Sequence, residues 1–250
     1  MHVAVSLVNL EAIHSLRELY RQEMNCQIVH DCLHARFLTD IYIIRVDQRD
    51  AGYGCLISGA SERRDVIKEY YVLPAHRRHA LPLFRCFAAE TFATAVEAQT
   101  NDTLLSLLLF DCATEFQSER ILFHDVATTE LELPEVTFRK VTDHDRDRIF
   151  SHKLEGAGDW LLEYGGVIVA TGGIYSHLNA PYADIAMEVD ERFWRRGFGS
   201  YVVQELKRTC YEMGKIPAAR CHVANLASRA TLQKAGFLPC ARIVHGVIRA

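Results

Sequence analysis

Val189-Asp190-Glu191-Arg192-Phe193-Trp194-Arg195-Arg196-Gly197-Phe198-Gly199-Ser200 is the stretch on which the fold of this chain turns. It follows a segment, Tyr182 to Val189, in which apolar Ala183, Ile185, Met187 and Val189 alternate with positions that include Asp184 and Glu188. That period belongs to a half-buried strand. It leads into Gly199 to Met213, which sets Val202, Val203, Leu206 and Cys210 on one helical face and meets a stop at Gly214. A strand, a turn of arginines and glycines, and a helix make an anion site for a physical reason. The first helical turn leaves its N–H groups unpaired and carries partial positive charge, and glycine lets an anion approach the backbone. Gly197 and Gly199 have the spacing for this, and Arg195 and Arg196 add charge. Taken alone, the pattern fits a helix start with solvated arginines equally well.

Outward from the loop, strands and helices alternate. Val136 to Val141 reads as a strand, and His144 to His152 as a short helix capped by Thr142 or Asp143. Trp160 to Glu163 and Val167 to Tyr175 read as a hairpin around Gly165-Gly166. Beyond the loop helix come a strand at Ala218 to Val223, a helix at Leu226 to Lys234 and final strands from Phe237 to Val247. The stretch Asn225-Leu226-Ala227-Ser228-Arg229-Ala230-Thr231-Leu232-Gln233-Lys234-Ala235-Gly236-Phe237 ends a strand on asparagine, makes a short helix and closes on Lys-x-Gly-Phe.

These two segments, in this order, resemble the acyl-CoA loop and the second signature of the GCN5-related N-acetyltransferases (GNAT). The resemblance covers residues 136–247 well and the first half in outline. It implies an α/β fold of tandem GNAT-like domains. Each would be a mixed, mostly antiparallel sheet with a splayed central pair of parallel strands, flanked by helices. It also implies acetyl-CoA, or another acyl-CoA, as cosubstrate. The amides of Arg195, Arg196, Gly197, Phe198, Gly199 and Ser200 would hold its pyrophosphate. Backbone groups of Met187 and Val189 would pair with the pantetheine arm, Asn225 would hydrogen-bond the cofactor near its acyl end, and Ser228 would also contact the cofactor. Asn225 also suits a plain helix N-cap.

Two positions depart from the family pattern. Trp194 stands where Gln or Arg is usual, and Leu232 stands where many members place a general-acid tyrosine. The acid is therefore unassigned among Cys221, Ser228, a water or none. Glu188 is the candidate base for removing the acceptor's proton, with a solvated or salt-bridged carboxylate as the plain alternative.

The first half repeats the order more loosely. Ile13 to Met24 and Leu83 to Ala95 read as helices, and Ile41 to Val46, Cys55 to Ser58, Ile67 to Val72 and the apolar Leu104 to Phe110 as strands, with a short helix after Thr114. At the loop position it has His76-Arg77-Arg78-His79-Ala80-Leu81-Pro82, without glycine and with a proline that removes one N–H. This half is expected not to bind CoA. Asp111-Cys112-Ala113-Thr114 echoes Asn225-Leu226-Ala227-Ser228. The polar stretch ending at Pro134 sets the expected domains at 1–130, degenerate, and 135–250, acyl-CoA-binding.

A length of 250 residues suits two domains of ordinary size, and 49% apolar residues can supply their cores. A net charge of -4 argues against general affinity for nucleic acid or an anionic membrane. No apolar run is long enough to span a bilayer, and the N-terminus does not read as a secretory signal. Eight scattered cysteines without a Cys-x-x-Cys pair read as reduced thiols of a cytoplasmic protein. His76 and His79 flank two arginines, so no metal is expected there, and no other histidine spacing suggests one. The expected activity is acetyl or short-acyl transfer from coenzyme A to an amine, of a small molecule first. A non-catalytic acyl-CoA sensor and a protein N-acetyltransferase are the alternatives.

Overall fold

The computed structural model of the protein describes residues 2–24, 26–28, 30–59, 63–152 and 158–249. The chain forms two compact units. The first is Met1–Arg120 with Ala241–Ala250, and the second is Ile121–Cys240. In chain order the elements are β1 (Val3–Val8), α1 (His14–Glu23), α2 (His30–Ala35), β2 (Asp40–Val46), β3 (Arg49–Ser58), β4 (Arg64–Val72), α3 (Ala80–Thr91), β5 (Ala95–Gln99), α4 (Thr103–Cys112) and β6 (Ala113–Asp125). They continue with β7 (Val136–Lys140), β8 (Trp160–Tyr164), β9 (Val167–Tyr175), β10 (Tyr182–Val189), α5 (Phe198–Glu212), β11 (Ile216–His222), α6 (Leu226–Lys234) and β12 (Phe237–Ile248).

Within each unit four strands form an antiparallel meander, β1-β2-β3-β4 in the first and β7-β8-β9-β10 in the second. The fourth strand then meets a parallel neighbour for only a few residues. In the second unit β10 and β11 pair at Tyr182↔Ile216, Ala183↔Pro217 and Asp184↔Ala218, and beyond Asp184 the ladder ends. In the first unit β4 and β5 pair at Val66↔Ala95 and Ile67↔Val96 alone. Each unit thus contains a mostly antiparallel sheet with a splayed parallel pair, the arrangement that the sequence resemblance implies.

The sequence reading divided the chain near residues 130–135 and left the C-terminus in the second domain, whereas the compact units differ at both points. Residues 241–248 of β12 lie beside β5, with Ile243↔Gln99 to Val247↔Ala95 in antiparallel register. The polar stretch before Pro134 is not a free linker, because α5 ties it down. Gln204, buried on α5, exchanges hydrogen bonds with Leu131 N and O and accepts one from Thr129. Lys207 Nζ, also buried, donates to Ala127 O at 2.8 Å and Ala235 O at 2.7 Å and pairs with Asp125 at 2.6 Å. A buried ammonium held by three oxygens keeps its charge satisfied.

Three elements of the first half differ from the sequence reading. Leu104 to Phe110 lies inside helix α4, residues after Thr114 lie in strand β6, and Ala95 to Gln99 is strand rather than helix end. A run of leucines carries neither a helical nor a strand period, so its cap decides. Asp102 Oδ1 accepts from Leu105 N and starts α4. Asp102, rather than Asp111, is therefore the counterpart of Asn225. In the second half, His144 to His152 shortens to a 3-10 turn, Asp143–Arg148, with a capping box between Thr142 and Asp145. The eight cysteines are free thiols. Among the described residues no helix is long and apolar enough to cross a membrane.

Candidate functional site

In the second unit Ala183, Ile185, Met187 and Val189 of β10 pack with Val202, Val203 and Leu206 of α5. Asp184, Ala186 and Glu188 point to the opposite face by alternation. On β11, Ala219 and Cys221 join the same core, which leaves Ala218, Arg220 and His222 on the face of Asp184 and Glu188.

After β10 the chain makes one 3-10 turn, Glu191–Phe193, capped by Asp190, and then reaches the arginine–glycine loop. Arg195 has φ 62° and Gly197 φ 88°, both left-handed. Trp194 N bonds Glu191 O before the loop and Tyr201 N bonds Gly197 O after it. Between them, the amides of Arg195, Arg196, Gly197, Phe198, Gly199 and Ser200 have no acceptor among the described residues. Six successive free N–H groups, bent through left-handed residues at a helix start, form a concavity for an anion. A Cβ at Gly197 would lie 4.0 Å from Lys234 Nζ, so a cation also stands beside the loop. The non-glycine residue held at positive φ is a local cost that the surrounding fold must sustain.

The side chains of this loop do less than its backbone. Arg196 lays its guanidinium over the rings of Tyr164, Phe198 and Phe193 at 5.1, 5.4 and 5.6 Å, which commits its charge to an aromatic cage. Phe198 is core, and Ser200 is buried with its hydroxyl on Thr231 O at 3.2 Å. Gly199 is needed for packing, since a Cβ there would come within 3.2 Å of Met187 and Thr231. Trp194 donates from its indole to Val189 O at 2.8 Å, so this substitute for the usual Gln or Arg caps the end of β10.

At the other wall, Asn225 Oδ1 accepts from Ser228 N at 3.0 Å and caps α6. Its amide nitrogen is not used by that cap, so capping and ligand binding are compatible. Leu232 is buried in the core, away from any acid role. Burial pushes the Cys221 thiol above its ordinary range, against the Arg229 charge and a hydrogen bond with Ser228. Gly236 of the Lys-x-Gly-Phe segment has φ 92°, and a Cβ there would stand 2.1 Å from Ala127 O. That glycine is structural.

Glu188 is half-buried and pairs in register with buried Thr171, whose hydroxyl meets His152 Nε2 at 2.6 Å. Asp184 is engaged elsewhere. Its Oδ2 accepts from Arg220 Nε at 2.9 Å and lies 3.0 Å from His177 Nε2, while Arg220 Nη2 lies 2.8 Å from that same ring nitrogen. No local pattern links His177 to Arg220, which lie 43 residues apart, so the sequence alone does not report their contact.

The corresponding region of the first unit is built differently. Pro74–His79 winds into a 3-10 turn whose N–H groups are used internally, for example His76 N to Leu73 O and Ala80 N to Arg77 O. Within that turn and α3 no residue has positive φ before Phe92. Just past the last β4–β5 pair, Lys68 and Glu97 form an ion pair across the splay. On the other face of β4, buried Glu69 accepts from Arg17 at 3.0 Å and from the Tyr53 hydroxyl, and lies 3.0 Å from His34 and 3.1 Å from His30. Burial opposes charge on Glu69, but His30, His34 and Arg17 outweigh it and hold the carboxyl well below its usual range. Potential ligand atoms of His34, Cys55 and Glu69 lie within 4.8 Å of one another, a grouping that sequence spacing did not suggest. The Arg17 guanidinium on that carboxylate makes it an ion network rather than a favourable cation cradle.

Residues 125–237 match the model of the acetyltransferase (GNAT) family. No curated protein matches the chain. Among solved structures, a GNAT-family acetyltransferase from Colwellia psychrerythraea is 15% identical, with 98% of this chain and 100% of that chain covered and a TM-score of 0.76. A tandem GNAT protein from the clavulanic acid biosynthesis pathway is 11% identical, with 98% of each chain covered and a TM-score of 0.58. A GCN5-related N-acetyltransferase from Sphaerobacter thermophilus is 14% identical, covering 99% of this chain and 96% of that one, with a TM-score of 0.56. At these identities the likeness is one of fold, and it extends over both units.

Proposed function

From the match of residues 125–237 to the GNAT acetyltransferase family model, we propose that the protein transfers an acetyl or short acyl group from coenzyme A to the amine of a small molecule. The observation that carries this reading is the row of six amides from Arg195 to Ser200, without an acceptor among the described residues, beside a parallel pair that opens after Asp184. The amides suit a pyrophosphate and the opened strands suit an extended arm that adds to the edge of β10. Val189 offers its N–H to that arm, its carbonyl being held by Trp194.

Acyl-CoA supplies an activated thioester. The amine nitrogen forms the new C–N bond, the C–S bond breaks, and its electron pair leaves on sulfur. Glu188, on the open face of β10, takes the proton that the attacking nitrogen loses. Leu232 cannot protonate the thiolate, which is a good enough leaving group to depart without help.

The test is calorimetric titration of acetyl-CoA into the wild type and Gly197→Glu, with release of free CoA followed on an amine library. One site of micromolar order, lost in Gly197→Glu, is expected, because a carboxylate then fills the concavity. Glu188→Gln should keep the affinity and lower the rate of CoA release about 100–10,000-fold. Absence of binding to the wild type refutes the reading. Binding without release for any amine would leave an acyl-CoA sensor in its place.

A further inference from the structure

Beside the opening of the β10–β11 pair stands a group that the reaction as written does not use. Asp184 is buried, while the side chains of Arg220 and His177 are each 27% exposed. Arg220 spends Nε on Asp184 and Nη2 on His177, and its Nη1 has no partner among the described residues. The guanidinium is therefore clamped along one edge and open along another. Asp184 fixes the fork, so little side-chain freedom is left to lose when a ligand meets it. His177 Nδ1 likewise has no partner among the described residues. The loop that carries His177 is held from the other side by Lys215, whose Nζ bonds the Ser176 hydroxyl. Around this spot the charges are Arg220 and Lys215 against Asp184, with Glu188 four residues farther along β10. A planar donor edge left free on a guanidinium that Asp184 already holds in place suits a carboxylate.

The face matters as much as the charge. Arg220 shares the side of the sheet with Glu188, opposite α5, which is the side from which an amine would meet Glu188. Resting on the proposed acyl transfer, we propose that Arg220, set by Asp184 and flanked by His177, binds a carboxylate of the acceptor, so that the substrates are amines bearing a carboxylate, of the amino-acid class. Arg220 is a specificity-determining residue, and Asp184 is a positioning residue that acts through it.

The experiment measures CoA release by the full chain with acetyl-CoA and a panel of amino acids, including those with side-chain amines, each beside its carboxamide. The carboxamide's amine is less basic and so more available at neutral pH, which works against the expected result. The wild type should favour at least one acid over its amide by 10-fold or more in kcat/KM. Arg220→Gln should remove that preference by raising KM for the acid, with acetyl-CoA affinity and KM for the amide unchanged. Arg220→Lys should restore part of it, which a merely structural role for Arg220 would not do. Equal use of acids and amides, or acetyl-CoA binding with no turnover of either series, overturns the proposal. If the wild type does not bind acetyl-CoA, the failure lies in the acyl-transfer reading itself, and the proposal falls with it.

Discussion

The two units carry the same order of elements and put opposite things at the same place. In the second, a strand opens from its parallel neighbour after Asp184 and runs into six amides that are unused among the described residues. In the first, the strand opens after Ile67, but Lys68 and Glu97 join across the opening and the loop spends its amides on its own turn. The faces opposite the loop helix differ too. Between β1 and β2 the first unit has α1 and α2, whose Arg17, Tyr20, His30 and His34 gather on and around Glu69 and bury it. The stretch between β7 and β8 has, among its described residues, a single 3-10 turn. The same sheet thus accommodates two different arrangements at the loop and on the open face. What differs is the backbone at Arg195 and Gly197 and the space left on one face, while the order of strands is the same in both.

That contrast can be broken or sharpened by experiment. The largest effect is expected at Glu69, where Glu69→Gln removes the buried carboxylate on which Arg17, His30 and His34 converge and leaves Arg17 only its part-exposed partner Asp31. It should destabilise the first unit by about 3–5 kcal/mol in denaturant unfolding, while acetyl-CoA still binds the second. A loss of binding equal to the loss of stability would show that the units do not act separately. A smaller effect is expected at Asp102, whose carboxyl burial pushes up to about 6 despite the hydrogen bonds from Leu105 N and Tyr20. A raised folded pKa means that the native state holds more protons than the unfolded chain between about pH 4 and 6, so this group's contribution falls as pH rises through that window. Asp102→Asn keeps the helix cap and removes the buried charge. It should stabilise by roughly 1–3 kcal/mol at pH 7.5 and by little at pH 4, read from melting curves at both values. An equal gain at both pH values would refute the assignment. The smallest effect, none, is expected from grafting the glycines. The triple change His79→Gly, Leu81→Gly and Pro82→Ser should leave the acetyl-CoA stoichiometry at one, because Lys68 and Glu97 still bridge the opening. A second site would show that the loop alone governs binding.

Much of the second unit was legible because its signals are local. Helix α6 runs from Leu226 to Lys234 as its asparagine cap and following glycine dictate, and β10 follows its alternation. The first half misled where composition carried no period, as in the leucine run of α4, whose only clear signal was the Asp102 cap. Gln204 and Lys207 were the other overlooked cue. Two polar residues among the buried positions of an amphipathic helix must find buried partners, and theirs are carbonyls and amides of the segment before Pro134. Arg220 and Asp184 lie 36 residues apart and meet only because two strands run side by side. No period in a sequence reports that. The amide row itself was foreseeable from glycine spacing, whereas the turn of Arg196 into an aromatic cage was not.

The return of residues 241–248 to β5 fixes a timetable. A ribosome delivers the first 120 residues well before residues 241–248, so the sheet they build lacks one of its strands until the second unit has been made. The unit encoded first is completed last. Until then β5 offers an unsatisfied edge to whatever is near, and the second unit must be synthesised before the sheet of the first can close.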